Sequence, residues 1–442
     1  MTTSASVNKI NKIVWMKTRW GLQENPFPAE AIARLGGTDD RENGLLFDPS
    51  VQPDKVKEVV DKFVLGSLYS GLKFGYLWSL GTGLSSDARG FGKSSTLQFL
   101  VQQVNRDWGR DFIVQSGLDE SDAEEKPLCA VLASFDMVNA RSLNDVFFGA
   151  ASYACRFRAR DGDATLATKI RDRLIKRVGS EEPATLRAEV DRVQQDLRGR
   201  TLGPLVDDFL QTLLAGDESE LIRTIDAVPT GRRTRSGGVY LATLLVVIKA
   251  AGIEHVLLAC DQLEDFAAST TTRQKRTLEV ERFRDNILEI QPMSDMITVI
   301  VTMHPRATQA IGEMWALADL PSYDHSRSEN AQRVVILETI ETPERARALL
   351  LPYLSAFRKK GFAAPSPLYP LSDDTVATIL EHSDRKPRDI LRKSSALIEQ
   401  GAEHNWDEIT PSRAAKVLES FRSDDEYSLD FKVLAPNDEV LG

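Results

Sequence analysis

The sequence predicts an α/β protein, with a mostly parallel five-stranded sheet, a helical insertion and an all-helical C-terminal domain. Three observations carry this. Five short apolar runs of strand length alternate with segments of helical period, the pattern of parallel strands joined by helical crossovers. A glycine- and serine-rich stretch, 81–92, lies between the first run and the helix that follows it. Beyond about residue 341 the pattern is helical throughout.

The first forty residues hold Trp20-Gly21-Leu22 and Asn25-Pro26-Phe27-Pro28. Prolines flanking a Phe restrict the backbone to extended conformations, so residues 1–50 are expected as an extended segment packing on the core. Apolar residues from Val56 to Leu68 recur at helical spacing, and Phe74–Leu80 reads as the first strand. A helix begins near Lys93, and a second strand covers Leu128–Ala133. The insertion, about 140–230, is rich in Arg, Asp and Leu. Its part Ala164–Arg200 alternates in sign and reads as a solvated helix or helical hairpin, with a partner-binding arm as the alternative. Pro229–Gly238 reads as a basic, turn-rich loop before a helix over Val239–Ala251.

Three more strands follow: His255–Cys260 ending at Asp261, Met296–Val301 ending at Thr302, and Val334–Leu337. A helix over Lys275–Ile290 lies between the first two, and the core so described spans 51–340. Helices over Pro343–Lys359, Ser372–His382, Pro387–Gln400 and Pro411–Arg422 make up a domain at 341–422. Residues 423–442 read as an acidic tail.

The 442 residues exceed what one hydrophobic core usually spans. With 42% hydrophobic and 27% charged residues, the composition is that of a globular rather than a disordered chain. There is no long apolar run and no apolar N-terminal region, so a soluble, cytoplasmic protein without a membrane span is expected. Cys129, Cys155 and Cys260 are far apart and fit a reducing compartment, and neither they nor the histidines have zinc-site spacing. The net charge of −10 gives no global attraction to nucleic acid, although a local basic patch remains open.

The run Asp87-Ala88-Arg89-Gly90-Phe91-Gly92-Lys93-Ser94-Ser95 lies between a strand and a helix. Bound phosphate needs several backbone N–H groups turned inward, which glycine permits, and a helix N-terminus adds the positive end of its dipole. Arg89 to Ser95 would line this loop, Lys93 would reach the β- and γ-phosphates of ATP, and Ser94 would ligate Mg2+. The loop departs from G-x-x-x-x-G-K-S/T at its first glycine, where Asp87 stands. A second acid for the metal belongs at the tip of a neighbouring buried strand, and Asp261 supplies it. The residue that positions the attacking water is Glu264 or Gln262.

The phosphate loop, the strand ending in Asp261-Gln262-Leu263-Glu264, the strand ending in Thr302, and Lys386-Pro387-Arg388-Asp389-Ile390-Leu391 together resemble a P-loop NTPase core of the AAA+ type. Within that group the chain looks most like the origin-recognition, ExeA-like and STAND-like branch. The resemblance implies a helical lid at 341–422 and a catalytic set of Lys93, Asp261, Glu264, Thr302 and Arg388. Thr302 would sense the γ-phosphate, and Arg388 would be the lid arginine that touches the nucleotide. The glycine usual before that Pro-Arg pair is absent, with Asp384-Arg385-Lys386 in its place. Ring-forming members insert an arginine in trans, for which Arg273, Arg276, Arg282, Arg284 and Arg306 are candidates.

Two functions follow as expectations. One is an ATP-hydrolysing switch or motor, a homo-oligomer acting on DNA or a DNA-associated partner protein, in replication, transposition or antiviral defence against phage. The other is a non-catalytic nucleotide-binding scaffold that recruits a separate effector protein. A small-molecule kinase is the weaker third class. DNA contact is left open, because the acidic total and the arginines Arg232, Arg233 and Arg235 pull in opposite directions.

Overall fold

Strands in which nearly every residue is apolar must be covered on both faces. The computed structural model, which describes residues 11–31, 39–79, 89–134, 145–158, 162–197, 204–261, 272–289, 291–303 and 312–420, meets that demand. Strands β1 (Phe74–Ser79), β2 (Leu128–Ser134), β3 (His255–Asp261), β4 (Ile297–Thr302) and β5 (Val334–Leu337) form one sheet in the order β2-β3-β4-β1-β5. Every pair is parallel, and β4 lies between β1 and β3.

Successive side chains of a strand point to opposite faces, and the two cores divide accordingly. Leu77, Leu128, Ala130, Leu132, Leu257, Ala259 and Ile300 face one core. That core is completed by the helical run α1 (Pro53–Val59, continued by a π-helical turn over Val60–Leu65), α2 (Lys93–Asp107) and α3 (Arg110–Gln115). Short α4 (Glu120–Glu125) leads into β2. Phe74, Tyr76, Trp78, Val131, Val256, Leu258, Val299 and Val301 face the other core. Here pack α5 (Asp145–Arg156), α6 (Leu166–Val178), α7 (Pro183–Leu197), α8 (Asp207–Ala215), α9 (Glu218–Asp226), α10 (Thr230–Ala250) and α11 (Arg273–Glu289).

The helical insertion is therefore not a detached arm. Ile170, Leu174, Leu186 and Val190 are fully buried in the same cluster as the sheet. The charges lie on the outward faces, where Arg187 pairs with Asp191 and Asp207 and Arg192 with Glu189.

The basic loop expected at Pro229–Gly238 is instead the first half of α10, which starts at Thr230 after the extended Pro229. Glycine-rich composition is overridden by packing. The second half of α10, from Tyr240 to Ala250, is buried, and the helix extends back from that anchored stretch. A Cβ at Gly238 would come 2.9 Å from Asn286 Oδ1 of α11, so glycine there permits the two helices to approach closely.

After β5 the chain forms α12 (Pro343–Ala356), α13 (Asp373–Glu381), α14 (Pro387–Glu403) and α15 (Pro411–Ser420). Thr342 and Ser372 cap the first two through their side-chain oxygens, and prolines begin α12 and α14 where no intrahelical N–H is needed.

These helices enclose a separate core, and it includes Met16, Trp20, Leu22 and Phe27. The N-terminal segment thus differs from the expectation of an extended stretch on the sheet domain. Residues 11–20 are helical, ending in a π-helical turn at Met16–Trp20, and the segment seats on the C-terminal helices. Trp20 Nε1 donates to the Trp406 and Asp407 carbonyls at 3.1 and 3.0 Å, and Leu22 forms a bridge with Arg358. Among the described residues, its later part reaches the sheet domain. There Phe47 packs against Phe99 of α2 (5.2 Å between centroids), and the Gln52 side chain joins both backbone groups of Glu338 after β5. The segment is a strap across both units. Among the described residues, no helix is long and apolar enough to cross a membrane.

Candidate functional site

The carboxyl ends of parallel strands, at a switch point in strand order, are where α/β proteins bind ligands. Here β1 is flanked by β4 and β5 while its successor β2 lies at the far edge. That end of the sheet carries the polar residues. Ser79, Thr302 and Asp261 close β1, β4 and β3, and all three are buried. Register brings them into a row: Leu77 pairs with Thr302, and Val301 with Cys260, the residue before Asp261. Thr302 Oγ1 donates to Asp261 Oδ1 at 2.8 Å. The two residues expected to act together are 41 positions apart in sequence and directly bonded.

Of the expected phosphate loop, Asp87 and Ala88 lie outside the described residues, and Arg89 to Ser95 lie inside them. Gly90 and Gly92 both take φ 88°, a left-handed conformation that side chains resist. Phe91 between them is buried among α1 and α2 residues and pins the turn to the sheet domain. α2 begins at Lys93, so its first backbone N–H groups open beside this turn, with Ser94 and Ser95 half-buried on the first helical turn.

Lys93 is only 9% exposed, and its Nζ donates to Ser79 Oγ at 2.8 Å. For stability alone this is a poor position, since a helix N-terminus repels cations. Sequence reasoning passed over Ser79. Its signal was masked because the apolar run reads on to Leu80, whereas the strand ends at Ser79.

Arg388 meets the same turn from the other unit. It is the second residue of α14, and its backbone N–H donates to the Gly90 carbonyl at 3.1 Å. A Cβ on Gly90 would lie 2.8 Å from Arg388 Cβ. Burial of the guanidinium, together with repulsion from Arg89 and Arg392, pulls its pKa down to about 10. Positive charge therefore gathers at the loop from two units of the chain. Close by, Lys386 Nζ lies 5.8 Å from the centre of the Phe91 ring.

Asp261 and the Ser94 hydroxyl are hard oxygen donors of the kind Mg2+ takes alongside water and phosphate. Among the described residues no group of three or more His, Cys, Asp or Glu could form an all-protein metal cage. A carboxylate and a hydroxyl beside a cationic loop thus fit a metal held jointly with a phosphate ligand. Glu264 and Gln262 lie outside the described residues, as do Arg306 and the side chains of Arg232, Arg233 and Arg235.

The remaining candidates for action in trans lie on α11. Arg273 pairs with Glu313, Arg282 with Glu279 and Arg284 with Asp285, so these are engaged within the chain, and Arg276 has contacts of its own. Burial pushes the thiols of Cys129, Cys155 and Cys260 well up, which makes them packing residues rather than nucleophiles. Compared with known proteins, the chain matches no family model, no curated protein and no solved structure.

Proposed function

We propose that the chain is a magnesium-dependent ATP-binding protein and ATPase, working as a nucleotide-driven switch through its two units. One observation carries the reading. Lys93 is a buried cation at a helix N-terminus, beside two left-handed glycines, and Arg388 of the C-terminal helices joins it at the same turn. A lysine and an arginine brought to one helix N-terminus make a setting that a polyphosphate complements.

In this reading Lys93 and the α2 N-terminus bind the phosphates, Arg388 adds a bidentate contact, and the C-terminal helices are a lid. Ser94 and Asp261 hold Mg2+, which when bound neutralises charge on the phosphates. Thr302 fixes the Asp261 carboxylate through its 2.8 Å bond and so orients it. Hydrolysis joins a water oxygen to the γ-phosphorus and breaks its bond to the bridging oxygen, giving ADP and phosphate. Glu264 is the base assigned to take the water proton, with Gln262 the alternative that would orient the water without accepting it. Because the loop touches both units, nucleotide with unequal affinity for their two arrangements would shift that equilibrium.

Asp87 at the first loop position and Gln262 directly after Asp261 favour a second reading, a scaffold that binds ATP without turning it over. Phosphate release by the purified chain with Mg2+ and ATP, with and without duplex DNA, separates the two. Turnover that falls at least about 100-fold in Lys93→Ala, with a melting temperature that does not fall, supports the ATPase. Stimulation by DNA makes nucleic acid the leading partner. Tight ATP binding with no phosphate release under either condition leaves the scaffold, and no ATP binding at all ends both readings.

A further inference from the structure

We propose that the N-terminal strap positions Arg388 for phosphate through the backbone carbonyl of Ala31, an inference that rests on the nucleotide reading above. Arg388 Nε donates to that carbonyl at 3.1 Å. Among the described residues this is the one hydrogen bond the side chain makes, and it forms no ion pair. A guanidinium held by Nε keeps its two terminal amino groups together on the opposite edge, the fork that takes two phosphate oxygens at once. Its base is fixed as well, by the bond from Arg388 N to the Gly90 carbonyl. The side chain is thus held at both ends by backbone, one end on the loop and the other on the strap.

The strap is strained at this point and clipped nearby. Ala31 sits at φ 49°, a conformation that a residue with a Cβ leaves unless its surroundings hold it. The hold comes from α14 itself. Asn25 Nδ2 donates to the Ser395 carbonyl and hydroxyl, both at 3.0 Å, and to Glu399 Oε1 at 3.1 Å. Ser395 Oγ donates back to the Phe27 carbonyl at 3.2 Å. Ser395 lies about two turns beyond Arg388 on the same helix. One helix therefore presents the arginine and grips the strap that orients it.

The test is a double-mutant cycle on the full chain, with ATP affinity read by calorimetry in Mg2+ below the melting temperature of each variant. Asn25→Ala releases the clip and is expected to weaken ATP binding about 5- to 10-fold. Arg388→Met is expected to weaken it more, and the double variant no further than Arg388→Met alone. Ala31→Pro forces φ to negative values and moves the carbonyl without touching the Asn25 clip. It should reproduce the loss seen in Asn25→Ala, which guards against a trivial unfolding effect of the first variant. Losses that multiply in the double variant, or unchanged affinity in both strap variants, overturn the proposal while leaving nucleotide binding intact. A wild-type chain that binds no ATP overturns the nucleotide reading itself, and the strap's role with it.

Discussion

The two halves of the site are built in opposite ways. On the sheet side, each polar group is the last residue of an apolar strand, or the first of a helix, so local pattern decides what stands there. Ser79, Asp261, Thr302 and Lys93 are all of this kind. On the C-terminal side, Arg388 is oriented by a carbonyl 357 positions away, and Trp20 anchors to carbonyls some 386 positions on. The first half is specified by neighbours in sequence, the second by a chain that returns to its own beginning. Local rules make a site robust to changes elsewhere, whereas long-range clips make it sensitive to them.

That contrast can be broken at its strongest point by Trp20→Ala. The indole is fully buried in the C-terminal core, and its truncation should cost that unit about 3–5 kcal/mol. Hydrogen exchange should then rise across α12 to α15 and stay unchanged in β1 to β4. Equal loss of protection in the sheet would mean that the two units unfold together and that the contrast is only one of sequence distance.

A second effect, on the sheet side alone, is set by pH. His255 at the start of β3 is buried, and burial together with the nearby Lys73 lowers its pKa to about 4. Thr298 Oγ1 gives its proton to the Leu72 carbonyl at 2.5 Å, so the 3.0 Å contact with His255 Nε2 requires the imidazole to donate from that nitrogen. The unfolded chain takes up a proton near pH 6.5 and the folded chain only near pH 4. Stability present above pH 6.5 is therefore lost as pH falls between those values, by about 3 kcal/mol in total. His255→Gln keeps a donor without the charge and should flatten this part of the urea-denaturation profile. An acid slope that survives the substitution would assign it to carboxylates instead.

The smallest change tests the seam between the halves. Gly90→Ala places a Cβ in a left-handed turn and against Arg388, and should cost about 1–2 kcal/mol of stability. If the phosphates sit at this turn, it should also weaken ATP binding. The same stability loss with unchanged affinity would place the phosphates away from Gly90.

The same division explains what the sequence revealed. The strands were legible because a parallel sheet covered on both faces leaves continuous apolar runs, and Asp261 and Thr302 stood out as the polar ends of two of them. The expected loop at Pro229–Gly238 failed because the helix read from Val239 extends back through the glycines and arginines to Thr230. The strap's seat was hidden for a related reason. Asn25-Pro26-Phe27 announces a constrained backbone and a buried ring, but nothing near it in sequence says that Tyr353 and Ser395 are what it meets. Ala31 was beyond reach, because its contribution is a carbonyl, which every residue has.

The strap also sets an order of events during synthesis. Trp20 leaves the ribosome 386 residues ahead of the Trp406 carbonyl that receives its indole N–H. At roughly 5–20 residues per second, Met16, Trp20, Leu22 and Phe27 wait about 20–80 s for the core that buries them. The sheet domain can form in that interval, but the C-terminal unit cannot. For that time the growing chain carries these apolar residues without the core that later covers them.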